Sequence, residues 1–370
     1  MLRAHIIRMY PTKEQHRQLC NTLGASRYAY NWALKRWESL YKADEKPSAF
    51  VLSKLWTVEK PEWANETART AQQRAILNLG KAYKSFFRGL TKKPTLHKKG
   101  GKKESFYVSN DKARFYGRCI NLPNIGRVKL AELLRFEGKI QGYTVTHYAD
   151  QWHLVVTVDT MEDVRPLCSN KDSVVGIDVG LAVPATASDG TTCTLPDEKM
   201  QRLEKHLKKY QKRLARSKSS KTSNHIKLLK RKQRIQNRIN NIRKDVSHKF
   251  TTAVTKSHGT VVVEDLSIQE MKDKAQFKSL RRTFNSSMMK MILFQLEYKA
   301  QKVIKVNRYF PSSKTCSHCG NIKKDLQLSE RTYTCEACGL SIDRDLNAAL
   351  NLMKSGMVSP VVSVESEDTL

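Results

Sequence analysis

The chain of 370 residues has 67 lysines and arginines against 35 aspartates and glutamates, a net charge of +32, and 39% of its residues are apolar. This apolar content is enough for ordinary hydrophobic cores, so the composition excludes a disordered basic tail and predicts a folded protein. A charge excess of this size destabilises a compact state unless a polyanion neutralises it. We therefore expect a nucleic acid as the partner, in preference to an anionic membrane surface or to no partner.

The sequence carries no signal for export or for a membrane. It has no run of about 18 apolar residues, and its N-terminal segment MLRAHIIRMYPTKEQ lacks the apolar stretch and cleavage site of a signal peptide. We expect a cytoplasmic protein with no membrane partner. In that reducing compartment the 8 cysteines do not predict disulfides, and four of them are expected to be buried thiols. These are Cys20, Cys119, Cys168 and Cys193.

The first hundred residues predict a strand, a helical domain and a basic loop. Residues 2–9 form a candidate strand, and the capping-box residues Thr12 and Gln15 should start a helix. Apolar residues then recur at helical spacing as far as about Gly89. Residues 88–103 are rich in proline, glycine and lysine, which predicts a mobile basic loop.

Beyond the loop the period of the pattern changes from 3.6 to 2, which indicates strands. Glycine and asparagine separate the candidate strands, and the spacing predicts a small β-barrel. The candidates lie near residues 117–122, 126–130, 140–148 and 152–158.

A third domain follows, with two buried strands around a strongly basic segment. The strands are expected at residues 174–180 and 259–266. Between them, residues 201–250 hold eighteen lysines and arginines but only two acids, and they predict two basic amphipathic helices broken near residues 217–223. A solvated helical face is the alternative, but charge of a single sign favours phosphate contact.

Basic side chains in the helical domain, in the loop and on the two basic helices are the candidate nucleic-acid contacts. They are Arg27, Arg36, Lys98, Lys99, Lys102, Lys103, Lys208, Lys209, Lys212, Arg213, Arg231, Lys232 and Arg234. Aromatic residues between the basic ones of the first helix could stack on bases, although packing in a helical core is favoured. They are Tyr28, Tyr30, Trp32 and Trp37.

Four cysteines are paired in a pattern typical of a metal site. Cys316 and Cys319 precede Gly320, and after fifteen residues Cys335 and Cys338 precede Gly339. Four thiolates close a tetrahedral zinc site without an open position, so we predict one structural Zn²⁺ rather than a redox dithiol. His318 lies inside the first pair and is not needed as a ligand.

Acidic residues form a second constellation, because Asp178 and Glu264 end the two buried strands and Asp345 lies in the first turn of the last helix. Three carboxylates repel one another unless Mg²⁺ or Mn²⁺ lies between them, and two such ions about 4 Å apart would suit phosphodiester hydrolysis. Taken singly, acids at such positions are common.

Each of two candidates has a neighbouring acid that could take its place. Glu264 and Asp265 point to opposite faces of their strand, so only one can be a ligand. Asp343 and Asp345 are two residues apart, about 200° around a helix, so they cannot share a site either. Asp343 is well placed as the N-cap of the last helix.

Six short blocks of sequence contain the candidate residues or lie near them. The most specific are FPSSKTCSHCG at residues 310–320, CEACG at 335–339 and DRDLNAA at 343–349. The others are GIDVG at 176–180, VEDL at 263–266 and QLEYKA at 295–300. These blocks resemble the TnpB family, the RNA-guided nucleases encoded by insertion sequences and related to type V CRISPR effectors. The resemblance covers nearly the whole chain.

The resemblance implies a multidomain α+β architecture. A helical recognition lobe would occupy residues 11–103, and a β-barrel wedge domain residues 1–10 and 104–170. A RuvC nuclease domain of RNase H-like fold would occupy 171–355, with a zinc ribbon at 310–340, and residues 356–370 would form a flexible tail. The implied nuclease centre is Asp178, Glu264 and Asp345, which chooses Glu264 over Asp265 and Asp345 over Asp343.

The resemblance also implies the partners and the activity. The protein would bind a guide RNA transcribed from the end of its transposon and would cut double-stranded target DNA beside a short motif, in the cytoplasm of a prokaryote and associated with the nucleoid. One alternative is a nuclease-inactive, guide-dependent DNA-binding repressor, but such relatives lose the carboxylates that this sequence keeps. Another is a transposase or accessory transposition protein, which no tyrosine or serine recombinase signature supports.

Overall fold

The computed structural model describes residues 1–100, 103–163, 165–217, 222–323, 325–327 and 329–358. The chain forms two compact units, Met1–Val164 with Ser219–Arg231, and Arg165–Lys218 with Lys232–Leu370. The described helices include none that is both long enough and apolar enough to cross a membrane. The finer domain boundaries given above stay predictions.

The first unit contains the predicted N-terminal strand and helical segment. Strand β1 (Leu2–Tyr10) leads into helix α1 (Lys13–Lys42), and the predicted capping box is confirmed. Thr12 Oγ1 accepts the Gln15 N–H at 3.3 Å, and Gln15 Oε1 accepts the Thr12 N–H at 3.1 Å. Helices α2 (Ala49–Glu59) and α3 (Arg69–Phe87) pack against α1 around a buried aromatic and aliphatic core.

A seven-stranded antiparallel sheet completes this unit. Besides β1, its strands are β2 (Glu104–Val108), β3 (Arg114–Tyr116), β4 (Cys119–Leu122), β5 (Gly126–Leu130), β6 (Lys139–Tyr148) and β7 (Gln151–Asp159). The strand order is β2-β6-β7-β1-β5-β4-β3. The four strands predicted from alternating apolar and polar residues are confirmed as β4, β5, β6 and β7, whereas β2 and β3 were not predicted.

The prediction of a closed β-barrel is wrong, because the sheet is open between its edge strands β2 and β3. Closure would require these two strands to pair with each other. The apolar face of the sheet is instead shared with helices, since Leu19 and Leu23 of α1 and Ala71 of α3 lie in the same core as the strands. Alternation in a sequence shows that one face is buried but not what covers it.

The second unit is built on a five-stranded sheet. Its strands are β8 (Val174–Asp178), β9 (Ala185–Ala187), β10 (Thr192–Cys193), β11 (Thr260–Glu264) and β12 (Lys302–Val306). The strand order is β10-β9-β8-β11-β12. Strands β8, β11 and β12 are parallel neighbours. The two strands expected near residues 174–180 and 259–266 are confirmed as β8 and β11.

Helices lie on both faces of this sheet. The basic segment forms α4 (Asp197–Ala215) and α5 (Ser223–Ser257), as predicted, and residues 218–221 of the predicted break lie outside the described residues. Between β11 and β12 come α6 (Ile268–Lys274), α7 (Lys278–Ser286) and α8 (Met289–Lys299). Apolar residues of α5 and α8 pack on one face, and the last helix packs on the other.

The C-terminal part carries the cysteines. Strands β13 (Thr332–Thr334) and β14 (Ser341–Asp343) form an antiparallel ribbon, which leads directly into α9 (Arg344–Val358). Helix α9 thus extends two residues past Gly356, where the tail was expected to begin, and residues 359–370 lie outside the described part of the chain.

Candidate active site and cysteine cluster

Two of the three candidate carboxylates lie side by side at one edge of the parallel sheet. Asp178 is the last residue of β8 and Glu264 the last of β11. The strands are parallel and Val263 pairs with Ile177, so the next residue of each strand arrives at the same place. This is the carboxyl-terminal edge, where open α/β sheets bind their ligands.

The face on which these carboxylates lie is covered by α9. Side chains two residues apart share a strand face, so Asp178 shares a face with Gly176, and Glu264 with Val262. A Cβ at Gly176 would overlap the Ala349 carbonyl oxygen, and one at Gly356 would overlap the Val262 side chain. Backbone and side chains therefore touch directly where α9 crosses β8 and β11.

Asp345 is brought to the same edge by the first turn of α9. It lies one helical turn before Ala349, the residue that contacts Gly176. The expected N-cap is confirmed, because Asp343 Oδ1 accepts the N–H groups of Asp345 at 2.9 Å and Leu346 at 3.0 Å. Asp343 is thus engaged by the backbone, while the side chain of Asp345 is free of that role.

Asp178 interacts electrostatically with both of the other carboxyl groups. Burial, together with the charges of Glu264 and Asp345, raises the pKa of Asp178 to about 7. Burial raises the pKa of Glu264, although a hydrogen bond from Ser312 opposes this. Burial and the charge of Asp343 raise the pKa of Asp345. The three acids are partly buried and their charged forms are all disfavoured, so they are candidates for holding a hard cation, although their ligand atoms do not all lie within 4.8 Å of one another.

Basic side chains offset only part of this charge. Arg331 Nη1 lies 3.9 Å from Asp345 Oδ1, and Arg331 and Arg344 both lower the pKa of Asp345 against the larger effects that raise it. Asp265, the alternative to Glu264, has a different environment, with its Oδ2 lying 3.5 Å from Arg308 Nη2.

The cysteine cluster has the geometry of a tetrahedral metal site. Among the described residues these four cysteines are the one group of three or more potential ligands whose atoms all lie within 4.8 Å of one another. Cys316 and Cys338 have sulfur atoms 3.6 Å apart, as do Cys319 and Cys335. Sulfurs bound to one Zn²⁺ at 2.3 Å lie about 3.8 Å apart in a tetrahedron, so the cluster fits zinc.

Both cysteine pairs have the same backbone conformation. Gly320 and Gly339 adopt positive φ angles of 78° and 73°, and their N–H groups donate to the carbonyl oxygens of Cys316 and Cys335, each at 3.0 Å. A side chain at these φ angles would be strained, which explains the glycine after each pair.

Two thiols of the cluster have strongly shifted pKa values. Backbone N–H groups of Cys338 and Ala337 lower the pKa of Cys335 to about 6. The Leu340 N–H acts on Cys338 in the same direction, but burial and hydrogen bonding with the other three cysteines outweigh it and raise the pKa of Cys338 to about 12. A bound metal would stabilise all four groups as thiolates.

The four remaining cysteines do not all follow the prediction of burial. Cys193 is buried and Cys119 and Cys168 are partly buried, but Cys20 is exposed. The prediction for Cys20 is wrong because α1 turns this residue outward, one position beyond Leu19, which is in the core.

The candidate nucleic-acid contacts occupy different environments. Arg27 forms an ion pair with Glu104, and Arg36 lies 3.2 Å from Glu59. Lys102 lies outside the described residues. Lys232 is partly buried. The others are exposed: Lys98, Lys99, Lys103, Lys208, Lys209, Lys212, Arg213, Arg231 and Arg234.

Helical packing of the interleaved aromatic residues is confirmed for Tyr30 and Trp37, which are buried in the core of the three helices. Trp32 packs against the same core. Tyr28 is 45% exposed and contacts the edge of Trp63.

Sequence patterns did not indicate Ser312 as part of this site. Its hydroxyl donates a hydrogen bond to Glu264 Oε1, and the residue is buried. The one available signal was its place in the FPSSKTCSHCG block, because no spacing rule relates it to an acid 48 residues earlier.

Three family models match separate parts of the chain. Residues 290–352 match the model described as "Cas12f1-like, TNB domain", and residues 153–275 match a "Probable transposase" model. Residues 1–46 match a model described as "Helix-turn-helix domain". In this structure, residues 1–46 contain strand β1 and the single long helix α1.

Curated relatives extend the match over the chain. "Putative RNA-guided DNA endonuclease InsQ" of Escherichia coli (strain K12) is 29% identical over 96% of this chain and 92% of its own length. "TnpB-like protein L79" of Acanthamoeba polyphaga mimivirus is 34% identical, over 32% of this chain and 24% of its own length. The family models and these relatives together support a likeness of this chain to the TnpB family.

The solved structures that resemble this chain include one titled "Structure of the mini-RNA-guided endonuclease CRISPR-Cas_phi3". It is 9% identical, covers 97% of this chain and 93% of its own, and has a TM-score of 0.49. A TM-score at this level does not define a shared fold.

Proposed function

We propose that this protein is a transposon-associated, RNA-guided DNA endonuclease that hydrolyses phosphodiester bonds of a DNA strand paired with its guide RNA. What supports the proposal is that Asp178 and Glu264 end neighbouring parallel strands, that Asp345 lies in the first turn of the helix covering them, and that each carboxyl has a raised pKa. The names of its curated relatives, which include RNA-guided DNA endonucleases, support the same activity.

The catalytic centre in this proposal is of the RuvC type, and its three carboxylates would hold Mg²⁺ or Mn²⁺. Bound ions supply a water with a lowered pKa and charge stabilisation for the leaving oxygen. Asp178, whose pKa is raised by the charges of both other acids, would hold the ions together with Glu264 and Asp345. The protein's own contribution is a sheet edge that holds Asp178 and Glu264 in partly buried positions, and a helix α9 that carries Asp345.

The partners in this proposal are a guide RNA from the transposon end and double-stranded DNA with an adjacent short motif. Support comes from the net charge of +32 and from the exposed basic side chains of α4 and α5. A positive surface of this kind binds the phosphate backbone without reading its sequence, and base pairing with the guide supplies the specificity.

A nuclease-inactive repressor is not favoured. All three acids are retained, and burying them raises their pKa values, a cost to stability that a protein used only for binding has no reason to keep.

The test uses the protein purified with its co-purifying RNA, which is sequenced to give the guide and hence the target. Wild type should cut a supercoiled plasmid carrying that target when Mg²⁺ is present. Asp178→Ala and Glu264→Gln should retain the RNA and lose cleavage by about three orders of magnitude or more, as other enzymes do on losing a catalytic group.

The matched control for Glu264→Gln is Asp265→Asn, which neutralises the adjacent acid on the other side of the strand. This variant should keep most of the activity. If wild type with its sequenced RNA leaves the matched plasmid intact in Mg²⁺ and in Mn²⁺, the endonuclease proposal is wrong.

A further inference from the structure

The segment from Ser312 to Ser317 joins the acidic site to the cysteine cluster. Ser312, at its start, donates a hydrogen bond to Glu264. Cys316, near its end, is the first cysteine of the cluster. The segment has no strand or helix of its own, so its conformation depends on the hydrogen bonds that hold it.

Ser312 is fixed on several sides. It is 3% exposed, its N–H donates to the Phe310 carbonyl at 2.8 Å, and its carbonyl oxygen accepts from Asn351 Nδ2 at 2.8 Å. With the backbone held in this way, the hydroxyl has little choice of position, and the bond to Glu264 Oε1 restricts the rotamer of that carboxylate.

Two asparagines of α9, one helical turn apart, hold the rest of the segment. Asn347 Nδ2 and Asn351 Nδ2 donate to the Thr315 carbonyl oxygen at 2.7 Å and 2.6 Å. The Ser317 N–H donates to Asn347 Oδ1 at 2.9 Å. Asn347 is 0% exposed and Asn351 5%. Buried amides are costly unless they are hydrogen-bonded, so this pairing fixes the segment against the helix.

We propose that Ser312 is a positioning residue for the metal-binding carboxylate of Glu264, and that Asn347 and Asn351 hold it in place through the backbone that also carries Cys316. The inference rests on the proposed function, because it takes Glu264 as a metal ligand. One carboxylate oxygen accepts the hydrogen bond from Ser312, which would leave the other to bind the cation. Residues that orient a ligand in this way typically change metal affinity or activity by about 10- to 100-fold when removed.

The arrangement also gives the cysteine cluster a connection to Glu264 that does not pass through Asp345. Helix α9 presents Asp345 in its first turn and Asn347 and Asn351 in its next two. The same helix therefore sets two of the three carboxylates, one directly and one through Ser312.

The experiment compares Ser312→Ala, Ser312→Thr and the control Ser313→Ala, which removes the same hydroxyl from the adjacent residue. Titration calorimetry measures Mn²⁺ binding to each zinc-loaded protein, and plasmid cleavage is followed as a function of Mg²⁺ concentration. Ser312→Ala should weaken Mn²⁺ binding and raise the half-saturating Mg²⁺ concentration by about tenfold. Ser312→Thr keeps the hydroxyl and should restore both, and Ser313→Ala should behave as wild type.

A purely structural role for Ser312 would lower the melting temperature or the zinc content and leave both metal titrations unchanged, and that result would overturn the proposal. Absence of Mn²⁺ binding by wild type would overturn it too. If wild type binds Mn²⁺, Ser312→Ala weakens that binding, and neither protein cuts DNA, the positioning role stands and the endonuclease proposal fails. Should the alanine variant not fold, Ser312→Cys keeps the volume with a weaker donor and gives the same comparison.

Discussion

Asp178 carries the largest electrostatic cost of the acidic site. Its pKa is raised to about 7 by burial and by its two acidic neighbours, against about 3.9 in an unfolded chain. Below pH 4 the carboxyl is protonated in both states and costs nothing. As the pH rises from about 4 to 7 the unfolded chain ionises first, so the folded state loses stability over this range.

Asp178→Asn should therefore stabilise the protein in zinc-containing buffer without Mg²⁺ or Mn²⁺. The gain at pH 8 has an upper bound of about 4 kcal/mol, and it should vanish near pH 4. Thermal unfolding across this pH range measures it, and added Mg²⁺ should stabilise wild type but not the variant.

The control variant is Asp189→Asn, for which the opposite sign is expected. Asp189 is partly buried, but hydrogen bonds from Thr191 and His258 outweigh that burial and lower its pKa. Its stabilising contribution is present above the unfolded value and is lost as the pH falls through the folded one. Equal pH profiles for the two variants would contradict the account of Asp178.

The role of a residue in the site could be predicted from the sequence where a single helix or strand determines that role. The N-cap role of Asp343 follows from its position before an amphipathic helix, and the structure confirms it. Ser312 was not predictable, because its hydrogen bond to Glu264 depends on where α9 holds an irregular segment in space. The choice of Glu264 over Asp265 required a family resemblance, since period-2 alternation separates the two but does not say which faces the site.

At the scale of elements, the crossing of α9 over β8 at Gly176 determines the site. Gly176→Ala should be strongly destabilising, because the added Cβ would overlap the Ala349 carbonyl oxygen and lie 2.5 Å from the Met353 nitrogen. These are backbone atoms, so the helix itself must shift. We expect a loss of about 1–3 kcal/mol or more, measured by denaturant unfolding, and a loss of cleavage because Asp345 moves with the helix.

The matched substitution is Gly24→Ala in α1. Its Cβ would have only the end of the Arg27 side chain within 4 Å, at 3.9 Å, and alanine is favoured over glycine inside a helix by about 1 kcal/mol. Gly24→Ala should therefore be neutral or stabilising. Similar losses from both substitutions would mean that close packing at Gly176 is not the cause.

The cysteine cluster is a second element-scale support of the site. Cys335→Ser should abolish cleavage without removing an acidic ligand, because the strand pair β13 and β14, which a zinc ion at the cysteines would hold, leads directly into α9 and Asp345. Zinc content by mass spectrometry and plasmid cleavage measure the two effects. Full cleavage by a zinc-free Cys335→Ser protein would contradict this dependence.

His318→Ala is the control for that substitution. This residue lies within the first cysteine pair but is exposed, and four cysteines already complete the metal site. Zinc content and cleavage should both stay close to wild type.

The spacing of the cysteines was sufficient to predict the cluster, since all four ligands come from two short local motifs. In contrast, the placement of Asp178 and Glu264 side by side at one sheet edge depends on the register between β8 and β11, which the structure provides.

At the scale of the whole molecule, the excess of positive charge should appear as a steep salt dependence of RNA binding. Each phosphate contact releases counterions, so the logarithm of affinity falls linearly with the logarithm of salt concentration, by about 0.7 per contact for a single strand. If α4 contacts the guide, replacing Lys208, Lys209, Lys212 and Arg213 by glutamine should reduce the slope by up to about 3. Binding measured by filter retention at several salt concentrations gives the slope.

A variant with the same change in net charge separates local contact from overall charge. Lys93, Lys230, Lys249 and Lys305 each lie within 2.9 Å of a carboxylate, from Glu38, Asp150, Asp245 and Glu297 respectively. Because a neighbouring acid already offsets these charges, their replacement by glutamine should change the slope much less. Equal changes in slope for the two sets would mean that the guide responds to the net charge of +32 and not to a site on α4.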